Sequence, residues 1–171
     1  MARNGGIKAR VADPSGLRAL ALGLADGPPR VIEQTDTFFT TPSGRLKLRA
    51  FADGRGELIF YDRPDRPGPK TSRYRIAPVV DADALLAVMS AALPVRGTVR
   101  KSRELLLIGR TRIHLDQVAG LGDFLELEVV LADGEDPAAG EAEAHELLAR
   151  LEIGQVDIIA PAYIDLLEGG W

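Results

Sequence analysis

The chain has 171 residues, 46% hydrophobic and 27% charged, with no cysteine and a net charge of −4. That length suits a single domain, residues 1–171, that buries a core, and no disulfide, thiol nucleophile or cysteine-based zinc site can form. The acidic balance argues against a nucleic-acid partner, no run of about 18 apolar residues offers a membrane span, and Met1-Ala2-Arg3-Asn4 lacks a signal-peptide core, so a cytoplasmic location is expected.

Ile7–Val11 reads as the first strand. Asp13-Pro14 opens a helix, with Asp as N-cap and Pro in the first turn. Leu17, Leu20, Leu22 and Leu24 supply its apolar face, and Gly27-Pro28-Pro29 ends it. Strands follow at Val31–Thr40, Arg45–Phe51, Glu57–Arg63 and Thr71–Pro78, joined by turn residues at Pro42-Ser43-Gly44 and Asp53-Gly54-Arg55-Gly56. Pro64–Pro69 reads as an exposed, partly stiff loop. A helix over Asp81–Leu93 stops at Pro94, and Val95–Ile108, Thr111–Val118 and Phe124–Leu131 are long strands. Asp136-Pro137 opens a helix to Leu151 whose buried stripe is Ala144, Leu147, Leu148 and Leu151. A short helix around Tyr163 closes the chain within Val156–Leu167. Strands joined mostly by short links make an α+β protein built on an antiparallel sheet.

The chemistry lies in the alternation. Successive strand side chains point to opposite faces. Arg45, Lys47 and Arg49 therefore share one face, with Leu46, Leu48 and Ala50 on the other. Lys8 and Arg10 share a face, as do Lys101 and Arg103, and as do Glu126 and Glu128. No acid interrupts the basic sets along their own strands, and no base separates the two glutamates. Like charges side by side repel unless an opposite charge is bound. Two arrangements remain open: a sheet with one solvated face, or a sheet curled until the charges face each other across a wet tunnel. Arg112, His114 and Asp116 share a face on the next strand. His114 by itself reads as structural. Asp116, with Glu126 and Glu128 returned beside it by the Gly120-Leu121-Gly122 turn, suits a hard cation. There is no dinucleotide fingerprint, P-loop or nucleophile elbow. Phe38, Phe39, Phe60 and Tyr61 could flank an organic group but read more simply as core.

These residues resemble the CYTH superfamily, which groups class IV adenylate cyclases, thiamine triphosphatases and inorganic triphosphatases. The resemblance is carried by His114-Leu115-Asp116 through Phe124-x-Glu126-x-Glu128, by Val99-x-Lys101-x-Arg103, by Arg45-x-Lys47-x-Arg49, by Tyr61-x-Arg63 and Lys70-x-Ser72, and by the closing Asp157–Leu167 segment. It implies an eight-stranded antiparallel β-barrel, a triphosphate tunnel, with helices packed outside. It implies that Lys8, Arg10, Arg45, Lys47, Arg49, Arg63, Lys70, Lys101 and Arg103 bind the triphosphate, Lys8 being catalytic. It implies that Asp116, Glu126 and Glu128 hold Mg²⁺ or Mn²⁺. The expected partner is ATP, thiamine triphosphate or tripolyphosphate, and a homodimer is compatible with the pattern. The family's first strand reads E-x-E-x-K, whereas this chain has Asn4-x-Gly6-x-Lys8. Three readings follow: the later carboxylates hold the metal alone, the chain binds triphosphates with weak or lost catalysis, or the glycine pair is an isolated change in an active lineage.

Overall fold

The computed structural model describes residues 2–63 and 69–169; positions 1, 64–68 and 170–171, and with them most of the loop expected at Pro64–Pro69, lie outside the described residues. The elements are β1 (Ala2–Arg10), α1 (Pro14–Leu24), β2 (Arg30–Phe39), β3 (Arg45–Phe51), β4 (Gly56–Asp62), β5 (Lys70–Val79), α2 (Ala82–Ala92), β6 (Val95–Ile108), β7 (Thr111–Val118), β8 (Gly122–Val130), α3 (Pro137–Arg150), β9 (Ile158–Ile159) and α4 (Tyr163–Leu167). All pairings are antiparallel, in the order β5-β4-β3-β2-β6-β7-β8-β1, and β1 returns to pair with β5. The sheet is thus a closed eight-stranded barrel. Closure leaves no free edge among these strands. β9 is an addition: it pairs with Lys8 and Ala9, on the strand whose Ala2–Gly6 stretch pairs with β5.

The outward faces are apolar because helices cover them. Leu125, Leu127 and Val129 of β8 and Ile113 of β7 are fully buried beneath α1 and α3, whose Leu17, Ala21, Ala144, Leu147, Leu148 and Leu151 complete that core. The stripe expected on α3 is the one observed. On α1 the face differs: Ala21 is buried while Leu22 is 36% exposed, because positions 17, 20, 21 and 24 share a helical face and position 22 turns off it. α2 covers β3, packing Met89 against Leu48 and Phe39. Gly5 and Gly140 let α3 approach β1 closely: a Cβ on Gly5 would stand 3.3 Å from the Gly140 carbonyl carbon. Asp13, Asp81 and Asp136 cap α1, α2 and α3 through their carboxylates. Among the described residues, no helix is long and apolar enough to cross a membrane.

Candidate functional site

Covering one face of each strand forces the other inward. Leu48 faces α2, so Lys47 and Arg49 face the barrel interior. Leu125 and Leu127 face the helices, so Glu126 and Glu128 also turn inward. With Asn4, Gly6, Lys8, Lys101 and Arg103 they line a cavity of about 280 Å³. Of the two arrangements left open by the alternation, the tunnel is the one observed. Ala162 and Tyr163 at the start of α4 close one end, packing with Phe38, Val99 and Phe124. The opposite end is reached by Arg30, Ile32, Phe51, Ile76 and Leu105, and there Arg30 and Ile76 are exposed.

Three clusters organise the charge. In the first, Asp36 of β2 stands opposite Arg49. Its carboxylate accepts from Lys47 Nζ at 2.8 Å and from Arg49 Nε and Nη2 at 2.9 and 3.0 Å. Burial opposes the Asp36 charge, but Arg49 and Lys47 outweigh it and hold its pKa well below the usual carboxylate range. Burial also lowers the Lys47 ammonium to about 7, with Arg49 pushing the same way and Asp36 against.

In the second cluster, Arg103 forks onto Asp116, with Nε and Nη2 both at 2.7 Å. Nη2 also donates to Glu126 at 2.8 Å, and the Tyr163 hydroxyl donates to Asp116 at 2.8 Å. The ring of Tyr163 lies beneath two ammonium groups, Lys8 Nζ at 3.9 Å and Lys101 Nζ at 5.0 Å from its centroid. Burial lowers Lys8 to about 7; Arg63 and Lys101 add to that effect and Glu126 opposes it. Burial likewise lowers Lys101, with Arg103 adding to it.

The third cluster is His114, Glu126 and Glu128, one ligating atom of each lying within 4.8 Å of the others. Glu128 is also paired with Arg112 at 2.9 Å. Burial and Arg103 lower His114 to about 4, so its imidazole is neutral near pH 7. The Nδ1 of His114 is buried with no hydrogen-bond partner.

Several residues sit differently from expectation. Asp116 lies outside the cluster that could hold a cation, because β7 places it opposite Phe124 on one side and Arg103 on the other. His114, taken as structural, is the residue opposite Glu126. Arg45 is bound to Asp165 of α4 at 3.0 Å, and Arg10 lies 5.5 Å from the Phe124 ring centroid; among the described residues neither belongs to the cavity wall. Arg63 does line it. Lys70 opens β5, and its side chain lies outside the described residues. Phe38 and Tyr61 face the cavity, whereas Phe39 is core beneath α2. Asp36, Arg112 and Tyr163 were missed as wall residues. The alternation Gln34-x-Asp36-x-Phe38 carried the signal for Asp36.

Two lysines with pKa values near 7 give the cavity a measurable pH response. A bound polyanion favours their charged forms, so their pKa values rise on binding. Affinity for any polyanion the cavity takes up, with tripolyphosphate as the probe, is therefore expected to be greatest below pH 7 and to fall as pH rises through the bound-state values. Near pH 8, binding takes up about one proton per lysine, about two at most. Calorimetry in buffers of different ionisation enthalpy reads the net exchange; once the protons released by the anion itself are subtracted, zero uptake would contradict the buried, partly neutral lysines.

Known proteins share this architecture. The chain is 25% identical to the adenylate cyclase CyaB of Aeromonas hydrophila over 166 residues, 90% of this chain and 84% of that protein. The PH1012 protein of Pyrococcus horikoshii OT3 superposes with a TM-score of 0.85 at 23% identity, covering 95% of this chain and 98% of its own. HpAC1 from Hippeastrum, a protein with a dominant triphosphatase activity, superposes with a TM-score of 0.72 at 15% identity, covering 99% and 96%. The CYTH domain profile matches residues 7–163, from the middle of β1 to the first residue of α4. With a closed antiparallel tunnel, an inward basic wall and that match, the chain belongs to the CYTH domain family.

Proposed function

We propose that this chain is a metal-assisted enzyme acting on a triphosphate drawn into the barrel. The observation that carries the reading is the inward convergence of Lys8, Lys47, Arg49, Arg63 and Lys101 on one cavity. We assign these five to the phosphates, with Arg103 beside them, since it lines the cavity and holds Asp116 as Arg49 holds Asp36; Arg45, outside the wall, holds Asp165 and is left out. Lys8 is assigned to the reacting phosphate. It becomes fully charged only when the polyanion arrives, and so stabilises charge where phosphoryl transfer concentrates it. A divalent cation, when bound, neutralises further phosphate charge. The neutral imidazole of buried His114, one ring nitrogen of which lies within 4.8 Å of both carboxylates, and the ionised Glu126 and Glu128 fit such an ion.

The apolar side chains at the open end, Ile32, Phe51, Ile76 and Leu105, suit an organic group attached to the triphosphate. ATP and thiamine triphosphate are therefore expected to turn over faster than tripolyphosphate with Mg²⁺ or Mn²⁺. Products separate the chemistries: cyclic AMP with pyrophosphate marks attack by the ribose hydroxyl, and orthophosphate marks attack by water. No turnover of any of the three by folded protein would remove the enzyme reading. We assign the protein to the cytoplasm, with a small triphosphate rather than a nucleic acid as its partner.

One observation favours a second reading. Gly6 stands opposite Glu128, so at that rung β1 offers no carboxylate toward a cation. A non-catalytic triphosphate-binding module would show thermal stabilisation by tripolyphosphate without metal and without product. At a hundred times Kd, such a ligand adds about 2.7 kcal/mol.

A further inference from the structure

We propose that His114 is a metal ligand together with Glu126 and Glu128, and that its nitrogen makes this chain prefer a first-row transition ion such as Mn²⁺ to Mg²⁺. The register supplies the juxtaposition: β7 sets His114 directly across from Glu126, and Glu128 follows two residues on along β8. One atom from each comes within 4.8 Å of the others. On the opposite flank of β8, Gly6 faces Glu128 and presents no side chain. β1 therefore offers no donor at the Glu128 rung, and β7 offers His114 at the Glu126 rung.

Two features distinguish this cluster from a neutralised acidic patch. First, the charge of Arg103 is already met by the fork onto Asp116, so Glu126 is a second acceptor on the same guanidinium rather than its main partner. Glu126 and Glu128 each pair Oε2 with an arginine guanidinium. Second, His114 is 5% exposed and its Nδ1 has no hydrogen-bond partner. Buried polar atoms are nearly always satisfied; here a ring nitrogen of His114 lies within 4.8 Å of an oxygen of each glutamate, and neither ring nitrogen has a hydrogen-bond partner among the described residues. A cation meets the need of all three groups at once. Magnesium favours an all-oxygen shell, whereas an imidazole beside carboxylates suits later divalent ions.

The proposal rests on the metal-assisted reading for its use but not for its test, which needs no substrate. The chain has two histidines, and His145 is exposed on α3. Untagged protein loaded with Mn²⁺ alone is examined by pulsed EPR for nitrogen coupling, and Mn²⁺ and Mg²⁺ affinities are compared by calorimetry. The expected result is Mn²⁺ bound about tenfold or more tighter than Mg²⁺, with coupling to one imidazole nitrogen. The coupling persists in His145→Gln and vanishes in His114→Gln, whose ion preference collapses. Mn²⁺ bound without nitrogen coupling, coupling lost in His145→Gln, or no Mn²⁺ binding would overturn the proposal. If His114→Gln does not fold, the parent and His145→Gln spectra decide. Turnover is assayed separately, so an inactive protein that shows the coupling refutes the enzyme reading alone.

Discussion

Arg103→Ala is expected to destabilise the protein by about 3–5 kcal/mol, the range for removing one partner of a buried ion pair. Arg103 is 4% exposed and supports two carboxylates at once. Without it, Asp116, 3% exposed, keeps only the Tyr163 hydroxyl and an ammonium 3.8 Å away. A drop of this size lowers Tm by roughly 6–20 °C at this chain length. The damage lies in stranding a buried charge, so removing both charges costs less than removing one. Arg103→Met combined with Asp116→Leu should recover much of the loss. Urea and thermal unfolding test this; a single variant within about 1 kcal/mol of the parent, or a double variant no better than the single, would refute it.

Lys8→Met should separate activity from stability. On the proposed assignment of Lys8 to the reacting phosphate, its removal is expected to lower kcat by about 10²–10³. The fold should lose less than in Arg103→Ala, because burial already disfavours this ammonium, Met fills similar volume over the Tyr163 ring, and Glu126, though it loses Lys8, keeps Arg103. Arg18→Gln provides the control. Its ion pair with Glu104 lies on the outside of the barrel, half exposed on the arginine side, and both readouts should stay near the parent's. Steady-state kinetics on whichever triphosphate turns over, beside a melting curve, reads both effects. A Lys8→Met enzyme within tenfold of the parent would remove Lys8 from the reacting phosphate.

Much of the barrel was legible because hydrophobic alternation and turn chemistry agreed. Arg45–Phe51, Val95–Ile108 and Thr111–Val118 fall where the sequence placed them. The turn at Gly109, with φ of +55°, ends one long strand and starts the next. The poor strand propensity of Asn4, Gly5 and Gly6 points to a first strand beginning at Ile7, yet it begins at Ala2. Pairing to β8 on one side and β5 on the other overrides that preference. The two-residue β9 is too short to leave a periodic signal.

The site was legible by face but not by partner. Alternation along a strand says which side chains point inward, not which stand opposite each other. Arg45-x-Lys47-x-Arg49 carried no acid of its own, yet Asp36 arrives from the neighbouring strand and cancels part of that charge. Asp116 and His114 share parity on one strand. Only the cross-strand register decides that the histidine meets Glu126 and the aspartate meets Arg103.

The tail after α3 is stitched into the wall it closes: Ile158 and Ile159 pair with Ala9 and Lys8, and four residues later Tyr163 slides beneath the Lys8 ammonium. A trimmed gene product ending before Ile158 would therefore lack the floor of its own tunnel. Expression designs should keep residues through 169 and carry any fusion beyond them.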